Sequence, residues 1–261
     1  MKISAFGHAW VLRWRWMLAV LAIAALPAGL SAWQWQRGED KAATLARIAR
    51  WASEGAVGLD GLGARTDAAQ IDGMVLDFEA RWIAPMVWLV DNRVVDRRPG
   101  YDVVIAVEDI GAARVAGSRN APARAALVNL GWIAAEGGRE VLPTPVIPSQ
   151  LRVHGLLRTE LGGLLLGTNL EDQGHWPMRI QRADPAQLAV WLAVPLAPGL
   201  IYQQQASPFH IHYRPVVLPP ARHRAYALQW GLLALAVVAV ALAASARRVP
   251  AVSGEIAHEQ P

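Results

Sequence analysis

Two long uncharged segments lie near the two ends of the chain. Residues 16–36 and residues 225–246 contain no charged side chain, and Leu, Ala and Val dominate both. A bilayer core about 30 Å thick is crossed by roughly 20 apolar residues in a helix, so each segment is long enough to span a membrane. The pattern therefore predicts transmembrane helices over residues 16–36 and 225–246.

The first apolar segment also has features of a cleavable signal sequence. A basic arm precedes it, and small residues suited to a cleavage site lie near its end. Its uncharged length favours an uncleaved anchor, as do the large side chains of Trp33 and Trp35 just beyond any cleavage point. We therefore expect the first segment to remain as a membrane anchor.

Basic residues beside the two segments predict their orientation. The arm before the first segment carries three basic residues and no acid, and Arg247 and Arg248 follow the second segment. Lys and Arg flank membrane helices mainly on the cytoplasmic side. We therefore expect residues 1–15 and 247–261 in the cytoplasm. Residues 37–224 then lie across the membrane, which is the periplasm for a bacterial inner-membrane protein.

The middle of the chain is rich in short runs typical of strands. These runs are bounded by Gly, Pro, Asn and Asp. The predicted strands are residues 74–80, 86–91, 101–108, 125–134, 151–159, 164–169, 177–181 and 200–205. Strands outnumber helices and no strand–helix–strand rhythm occurs, so we predict a β-rich α+β domain that is antiparallel and barrel-like.

Two further local patterns refine this domain. The spacing of Ile48 and Trp51 predicts that the first helix continues beyond the membrane segment. Glycines clustered over residues 55–63 then predict a mobile linker. Asp184 followed by Pro185 predicts the start of a short helix, with the aspartate as its N-cap.

Composition and charge narrow the classes of function. The chain of 261 residues has a net charge of +4 and a pI near 9.9, but 54% of its residues are hydrophobic, unlike a soluble nucleic-acid binder. It has no Cys, which excludes disulfides, Cys-bound zinc, iron–sulfur clusters and covalent c-type haem. It has no nucleophile or metalloprotease motif, which argues against an enzyme that uses a nucleophile and a base.

Histidines are the candidate ligands. His210 and His212 alternate, so on a strand they would share one face and could hold a metal. Two solvated polar residues are the simpler interpretation. His223 lies where the second apolar segment begins, with Tyr226 and Trp230 on the same helix face. A polar residue at that depth is costly unless it has a use: a neutral His there is either a haem ligand or an interfacial residue among lipid headgroups.

Four short motifs occur in order along the chain. They are LSAWQWQRGEDK at residues 30–41, PGYDVV at 99–104, VNLGWI at 128–133 and RHRAYALQW at 222–230. Together with the two apolar segments that accompany them, these motifs resemble the signatures of the Surfeit locus protein 1 family.

This resemblance implies a cytochrome c oxidase assembly factor that is not an enzyme. Such a protein aids the delivery or insertion of haem a into oxidase subunit I, and its partners are that subunit, other assembly factors and the bilayer, with no nucleic acid. The matching site residues are Trp33, Gln34, Arg37, His223, Tyr226, Gln229 and Trp230, with His223 as the candidate ligand of the haem iron.

The surroundings of His223 fit this implication chemically. Arg222 and Arg224 flank the histidine and would face haem propionates, although phospholipid phosphates are an equal alternative. Trp230, with Trp33 and Trp35, would supply a flat apolar pocket between the two helices.

The chain departs from the family pattern at several positions. Ser31 stands where the family has Gly, Leu130 replaces an Arg, and Arg224-Ala225 replaces Leu-Gly. The change at Leu130 is expected to remove a charged contact.

Two alternative functions remain. One is a membrane scaffold that holds oxidase subunits or assembly partners without a cofactor, pairing through an exposed edge strand at residues 101–108. The other is an enzyme or metal carrier that uses the His210/His212 pair.

Overall fold

The structure is a computed structural model of the whole chain. It describes residues 2–5, 8–11, 14–62, 67–111, 125–137, 141–162, 165, 167–172, 174–192 and 195–248. The chain forms two compact units. One consists of Met1–Ala43 with Val216–Pro261, and the other of Thr44–Pro215.

Long helices lie toward both ends of the chain, and strands dominate between them. The helices are α1 (Trp14–Glu54), α2 (Ala68–Ile71), α3 (Pro185–Leu188) and α4 (Pro220–Ser245), with short 3-10 helices at Leu59–Leu62 and Ala189–Trp191. The strands are β1 (Lys2–Ala5), β2 (His8–Val11), β3 (Val75–Val95), β4 (Arg98–Asp109), β5 (Ala125–Ala134), β6 (Gln150–Arg158), β7 (Leu170–Glu171), β8 (Met178–Ile180), β9 (Leu196–Gln203) and β10 (Ala246–Arg248).

In the first unit, α1 and α4 pack as an antiparallel pair along a seam of small residues. The Ser31 hydroxyl donates a hydrogen bond of 2.7 Å to the carbonyl oxygen of Ala227. A Cβ atom built on Gly38 would lie 3.3 Å from the Cβ of His223, which shows how closely the backbones approach there. Small side chains permit such approach between apolar helices, where van der Waals packing drives association.

Most of the apolar surface of both helices is exposed and does not pack against the rest of the protein. Within their most apolar windows only 11% of α1 and 6% of α4 is buried, and Leu26 and Leu235 are examples of widely exposed side chains. A core helix of a soluble protein would be mostly buried, and apolar patches of this size are rare on soluble monomers. The predicted apolar helices are thus confirmed, with the length and composition that a membrane crossing requires.

The backbone at the two ends of the first unit forms a small antiparallel sheet. Its strand order is β1-β2-β10, and β10 pairs with β2 so that Ala246 lies opposite Trp10 and Arg248 opposite His8. This pairing brings the segment before α1 and the segment after α4 to the same end of the helix pair.

The second unit is built on a seven-stranded mixed sheet. The strand order is β4-β5-β9-β6-β3-β8-β7, and β3 also pairs with β4. The first part of β3 pairs with β6 and the remainder with β4, with a register shift between Trp82 and Val87 that joins two predicted strands into one bent strand. β5 and β9 run parallel, as do β3 and β8, and the sheet ends openly at β7. The β-rich prediction is confirmed, but the sheet is mixed rather than antiparallel, and it is not a closed barrel because β8 and β7 extend it beyond β3.

Side chains on both faces of the sheet are buried. Val103, Ile105 and Val107 of β4 join the larger core, whereas Val104 and Ala106 join a second core on the opposite face. This burial accounts for the continuous apolar runs of the sequence, since strands covered on both faces lose their alternation. β4 pairs with both β3 and β5, so the expected exposed edge strand at residues 101–108 is wrong.

Several local predictions are corrected by packing. The described part of the glycine-rich segment, residues 55–62, contains the 3-10 helix Leu59–Leu62, whose two leucines are buried in the larger core. This part therefore packs into the core instead of forming the predicted linker, and Gly63 lies outside the described residues. The described part of residues 164–169 holds no strand, and β7 follows it instead. Leu130 is wholly buried, so in this chain that position packs the core and presents no surface contact.

The helix predictions agree with the structure. α1 continues as one helix to Glu54, as the spacing of Ile48 and Trp51 predicts. The carboxylate of Asp184 accepts a hydrogen bond from the backbone N–H of Ala186, so it is the N-cap of α3 as predicted.

Candidate functional site

His223 lies in the first turns of α4 and faces α1. Its side chain is 8% exposed, and its Nδ1 lies 2.8 Å from Oε1 of Gln34. Pro220 occupies the first turn of α4, where the missing N–H of proline costs no hydrogen bond. The structure therefore joins one residue from each of the two outermost sequence motifs in a single polar pair.

Small residues on both helices fix this pair in place. Gly38 follows Gln34 by one helical turn, and its Cα hydrogens face His223 and the carbonyl oxygen of Pro220. On the other side of Gln34, Ser31 bonds to the carbonyl oxygen of Ala227. Ser31, which stands where the family has Gly, keeps the close approach and adds a hydrogen bond between the helices.

Three arginines belong to the two motifs that meet at the His223–Gln34 pair, and their side chains have different environments. Arg224 donates two hydrogen bonds to Oε1 of Glu39, at 3.0 and 3.2 Å, and both side chains are about half exposed. Such an exposed ion pair contributes at most about 1 kcal/mol. Arg222 and Arg37 are exposed and make no ion pair within the part of the chain that the structure describes. Both side chains are therefore available to an anionic group.

An open apolar groove of about 830 Å³ runs along α1 and α4 beside the same seam. Its lining begins at Ser31, Trp35 and Ala227, one turn from the His223–Gln34 pair, and continues to Leu21 and Val238. Volumes of several hundred cubic ångströms, with apolar walls and few polar groups, are typical of sites for small molecules and cofactors.

The other predicted site residues are not gathered at this groove. Trp33 is exposed and, like Trp230, does not contribute to the lining of the groove. Tyr226 and Gln229 are also exposed. The structure thus brings together His223, Gln34 and the groove with Trp35, and places the remaining predicted residues around them on the helix surfaces.

A buried polar cluster in the second unit is absent from the sequence predictions. Asp102 is 3% exposed, and its carboxylate lies 2.6 Å from Nε2 of His212. The carboxylate also lies 3.1 Å from Nε of Arg93 and accepts a hydrogen bond from Nδ2 of Asn129. Asp102 and Asn129 each belong to one of the two central motifs. Membership of these motifs is the sequence signal that points to a shared role.

The same motifs hold the segment that contains His212 against the sheet. His210 and Trp132 exchange two backbone hydrogen bonds of 2.8 and 3.1 Å. Gly131 is required beside them, since it has φ +120° and a Cβ there would lie 2.7 Å from the carbonyl oxygen of His210. Asp102, Asn129 and Trp132 of the central motifs therefore hold the segment of His210 and His212 against the sheet.

A second buried ionic cluster is centred on Asp72, which is wholly buried. Its carboxylate accepts hydrogen bonds from Arg158, Arg47 and the backbone N–H of Thr159, at 2.8 to 2.9 Å. Burial alone would raise the pKa of Asp72, but these donors outweigh it and hold the pKa below its ordinary value of 3.8. Arg158 also donates to the hydroxyl of Tyr213, which fastens the segment after His212.

The structure shows the contacts of the two histidines in the predicted metal alternative, His210 and His212. His212 is engaged by Asp102, and His210 pairs with Trp132 through its backbone. In the described ranges no group of three or more His, Cys, Asp or Glu side chains is arranged to hold a metal ion.

The fold defines a class of protein in which two apolar helices lie before and after a mixed β-sheet unit along the chain, with a histidine of the second helix facing the first. The model of the SURF1 family matches residues 21–235, and the chain belongs to that family. Members of the family are membrane proteins associated with cytochrome oxidase assembly. A comparison with curated proteins finds no match to the chain.

Proposed function

We propose that the protein is an inner-membrane assembly factor that holds haem a through His223 during its delivery to oxidase subunit I. Membership of the SURF1 family supports a role in oxidase assembly. The observation that carries the haem proposal is the His223 side chain, which lies at the edge of the apolar region with one ring nitrogen engaged by Gln34. Haem is the cargo in this proposal, and the protein catalyses no reaction.

The residues around His223 suit the chemistry of haem. An imidazole nitrogen is a common axial ligand of haem iron. The exposed guanidinium groups of Arg222 and Arg37 would bind the anionic propionates. The neighbouring groove, with Trp35 at its edge, offers an apolar surface of the size that a porphyrin and its hydrocarbon substituent require.

The proposed membrane topology rests on the two apolar helices and on the small sheet. α1 and α4 would both cross the bilayer, with the first helix uncleaved. Pairing of β2 with β10 brings the two flanking segments to one end of the helix pair, and both flanking sequences are basic. By the positive-inside rule that end is cytoplasmic, which puts Thr44–Pro215 in the periplasm. Reporter fusions after Glu54 and after Arg248 test this topology, since the first must report the periplasm and the second the cytoplasm.

Deletion and complementation test the assembly function. We expect a strain without the protein to lose haem a-containing oxidase activity, and the wild-type chain to restore it. His223→Ala should fail to restore activity while accumulating in the membrane at the wild-type level. Full activity in the deletion strain, with no second family member present, would contradict the proposal.

A scaffold without a cofactor is the second candidate. It is favoured by a second apolar groove of about 400 Å³ on the helix pair, lined by large and small residues such as Trp16, Ile23, Ala236 and Ala244. Transmembrane helices associate through small residues of this kind. Co-purification of subunit I with equal yield from cells that make or lack haem a, and no haem in the purified protein, would favour the scaffold.

A further inference from the structure

We propose that Gln34 is a positioning residue that sets the tautomer of His223 and thereby makes Nε2 the iron-binding nitrogen. This inference rests on the proposed function of His223. The observation is the contact of 2.8 Å between Oε1 of Gln34 and Nδ1 of His223. An amide oxygen only accepts hydrogen bonds, so Nδ1 must donate and must carry the proton of the neutral ring.

The tautomer matters because a neutral imidazole has only one nitrogen with a free lone pair. In water the neutral histidine side chain prefers the proton on Nε2, which would leave Nδ1 as the ligand. Gln34 reverses this preference for His223 and frees Nε2. Nε2 makes no hydrogen bond to the described residues. Histidines that bind metals usually donate their other N–H to such an oxygen, which fixes the ring and raises its basicity.

The packing of α1 and α4 gives Gln34 a defined place. Ser31 bonds across the helix pair one turn before Gln34, and Gly38 approaches His223 one turn after it. The two contacts keep the backbones at a constant separation around the amide. Gln36, only two residues away, is exposed instead. Of the two glutamines, it is therefore Gln34 that is placed to contact His223, and it acts through that histidine.

The first test measures the tautomer directly, in the full chain without haem. The chain contains seven histidines, so 15N-histidine spectra of the detergent-solubilised protein are recorded with and without His223→Ala to assign the His223 signals. At a pH where the ring is neutral, we expect the proton of His223 on Nδ1. Gln34→Leu should move it mainly to Nε2, and Gln34→Glu, which keeps an oxygen at the same reach, should retain it on Nδ1.

Gln36→Leu is the matched control, because it makes the same chemical change on the same helix but on an exposed side chain. We expect its spectrum to match that of the wild type. A His223 proton on Nε2 in the wild type, or a tautomer that Gln34→Leu leaves unchanged, would overturn the inference. Circular dichroism of each variant shows whether the helices are retained.

A second measurement connects the tautomer to binding. Haem titration should show about 10- to 100-fold weaker binding for Gln34→Leu than for the wild type, as is usual when the partner of a metal-binding histidine is lost. Gln34→Glu and Gln36→Leu should bind within a fewfold of the wild type. If His223→Ala binds haem as the wild type does, the proposed function fails whatever the tautomer is. If His223→Ala loses haem but Gln34→Leu does not, only the role of Gln34 fails.

Discussion

Asp102 Oδ1 lies 2.6 Å from Nε2 of His212, a contact between residues 110 positions apart in the chain. It ties β4 to the segment that continues toward α4. The two central motifs thus stabilise the sheet unit, because Asp102 and Asn129 both belong to this buried cluster. The two outer motifs meet separately in the contact between Gln34 and His223. Structural and candidate functional roles are therefore divided between the motif pairs.

Removing Asp102 should destabilise the sheet unit strongly. Asp102→Ala leaves Asn129 and His212 without their shared hydrogen-bond partner and Arg93 without its ion-pair partner, and loss of one partner of a buried ionic contact typically costs about 3 kcal/mol or more. Urea unfolding followed by tryptophan fluorescence measures this cost. Glu108→Gln is the control, since its ion pair with Arg81 is largely exposed and should change the free energy of unfolding by less than about 1 kcal/mol. Equal effects of the two substitutions would contradict this role of Asp102.

The sheet unit should lose stability in acid because of two carboxylates. Hydrogen bonds from Arg152 lower the pKa of Asp77, and donors from Arg158, Thr159 and Arg47 lower that of Asp72 against the opposing effect of burial. A carboxyl whose folded pKa is lowered stabilises the protein above its unfolded pKa, and this contribution disappears as the pH falls through the folded pKa.

We therefore expect the free energy of unfolding to decline below about pH 4 through these two groups. Chemical denaturation at a series of pH values measures the slope. Asp72→Asn should be less stable at neutral pH and should show a shallower decline in acid. A decline of unchanged steepness in this variant would show that Asp72 does not contribute to it.

A disulfide should form between α1 and α4 at a defined position. A Cβ on Gly231 would lie 3.3 Å from Oγ of Ser31, which is close to the Cβ–Sγ separation across a disulfide. Because the chain has no Cys, Ser31→Cys with Gly231→Cys can be cross-linked in membranes without background. We expect rapid cross-linking for this pair. Ser31→Cys with Leu233→Cys, whose side chain lines the other groove, should cross-link poorly. Equal cross-linking of both pairs would contradict the helix register.

Gly38 should tolerate only a small side chain. Gly38→Ala places a Cβ 3.3 Å from the Cβ of His223 and 3.4 Å from the carbonyl oxygen of Pro220, so slight adjustment suffices. Gly38→Leu should separate the helices and break the contact between Gln34 and His223. The cross-linking yield of the Ser31/Gly231 cysteine pair measures the separation, with a large loss expected for Leu and little for Ala. An unchanged yield for Leu would show that the helices do not approach at Gly38.

The sequence was most informative where a signal is local. The uncharged segments predict α1 and α4, and Asp184 with Pro185 predicts the start of α3, because membrane length and helix capping depend on neighbouring residues. The arrangement of the sheet could not be derived in the same way. Two parallel pairings and the bent β3 depend on contacts between distant parts of the chain, and burial on both faces removes the alternation that would reveal strand orientation.

The candidate site was predictable in part for the same reason. The position of His223 at the start of an apolar segment marks it as a costly polar residue. Its partner Gln34 lies 189 residues earlier, and only the family motif singled out that glutamine. No local sequence pattern predicts the cluster of Asp102, Asn129 and His212, since each residue alone is an ordinary polar residue of a strand or loop.

The haem content of the purified protein tests the central claim most directly. The wild type, His223→Ala and the control His175→Ala, which alters an exposed histidine of the sheet unit, are purified from cells that make haem a. Their haem-to-protein ratios and Soret bands are then compared. We expect a haem-bearing wild type and His175→Ala, and a His223→Ala protein that has lost most of its haem. Equal haem content and the same Soret band in wild type and His223→Ala would contradict the account.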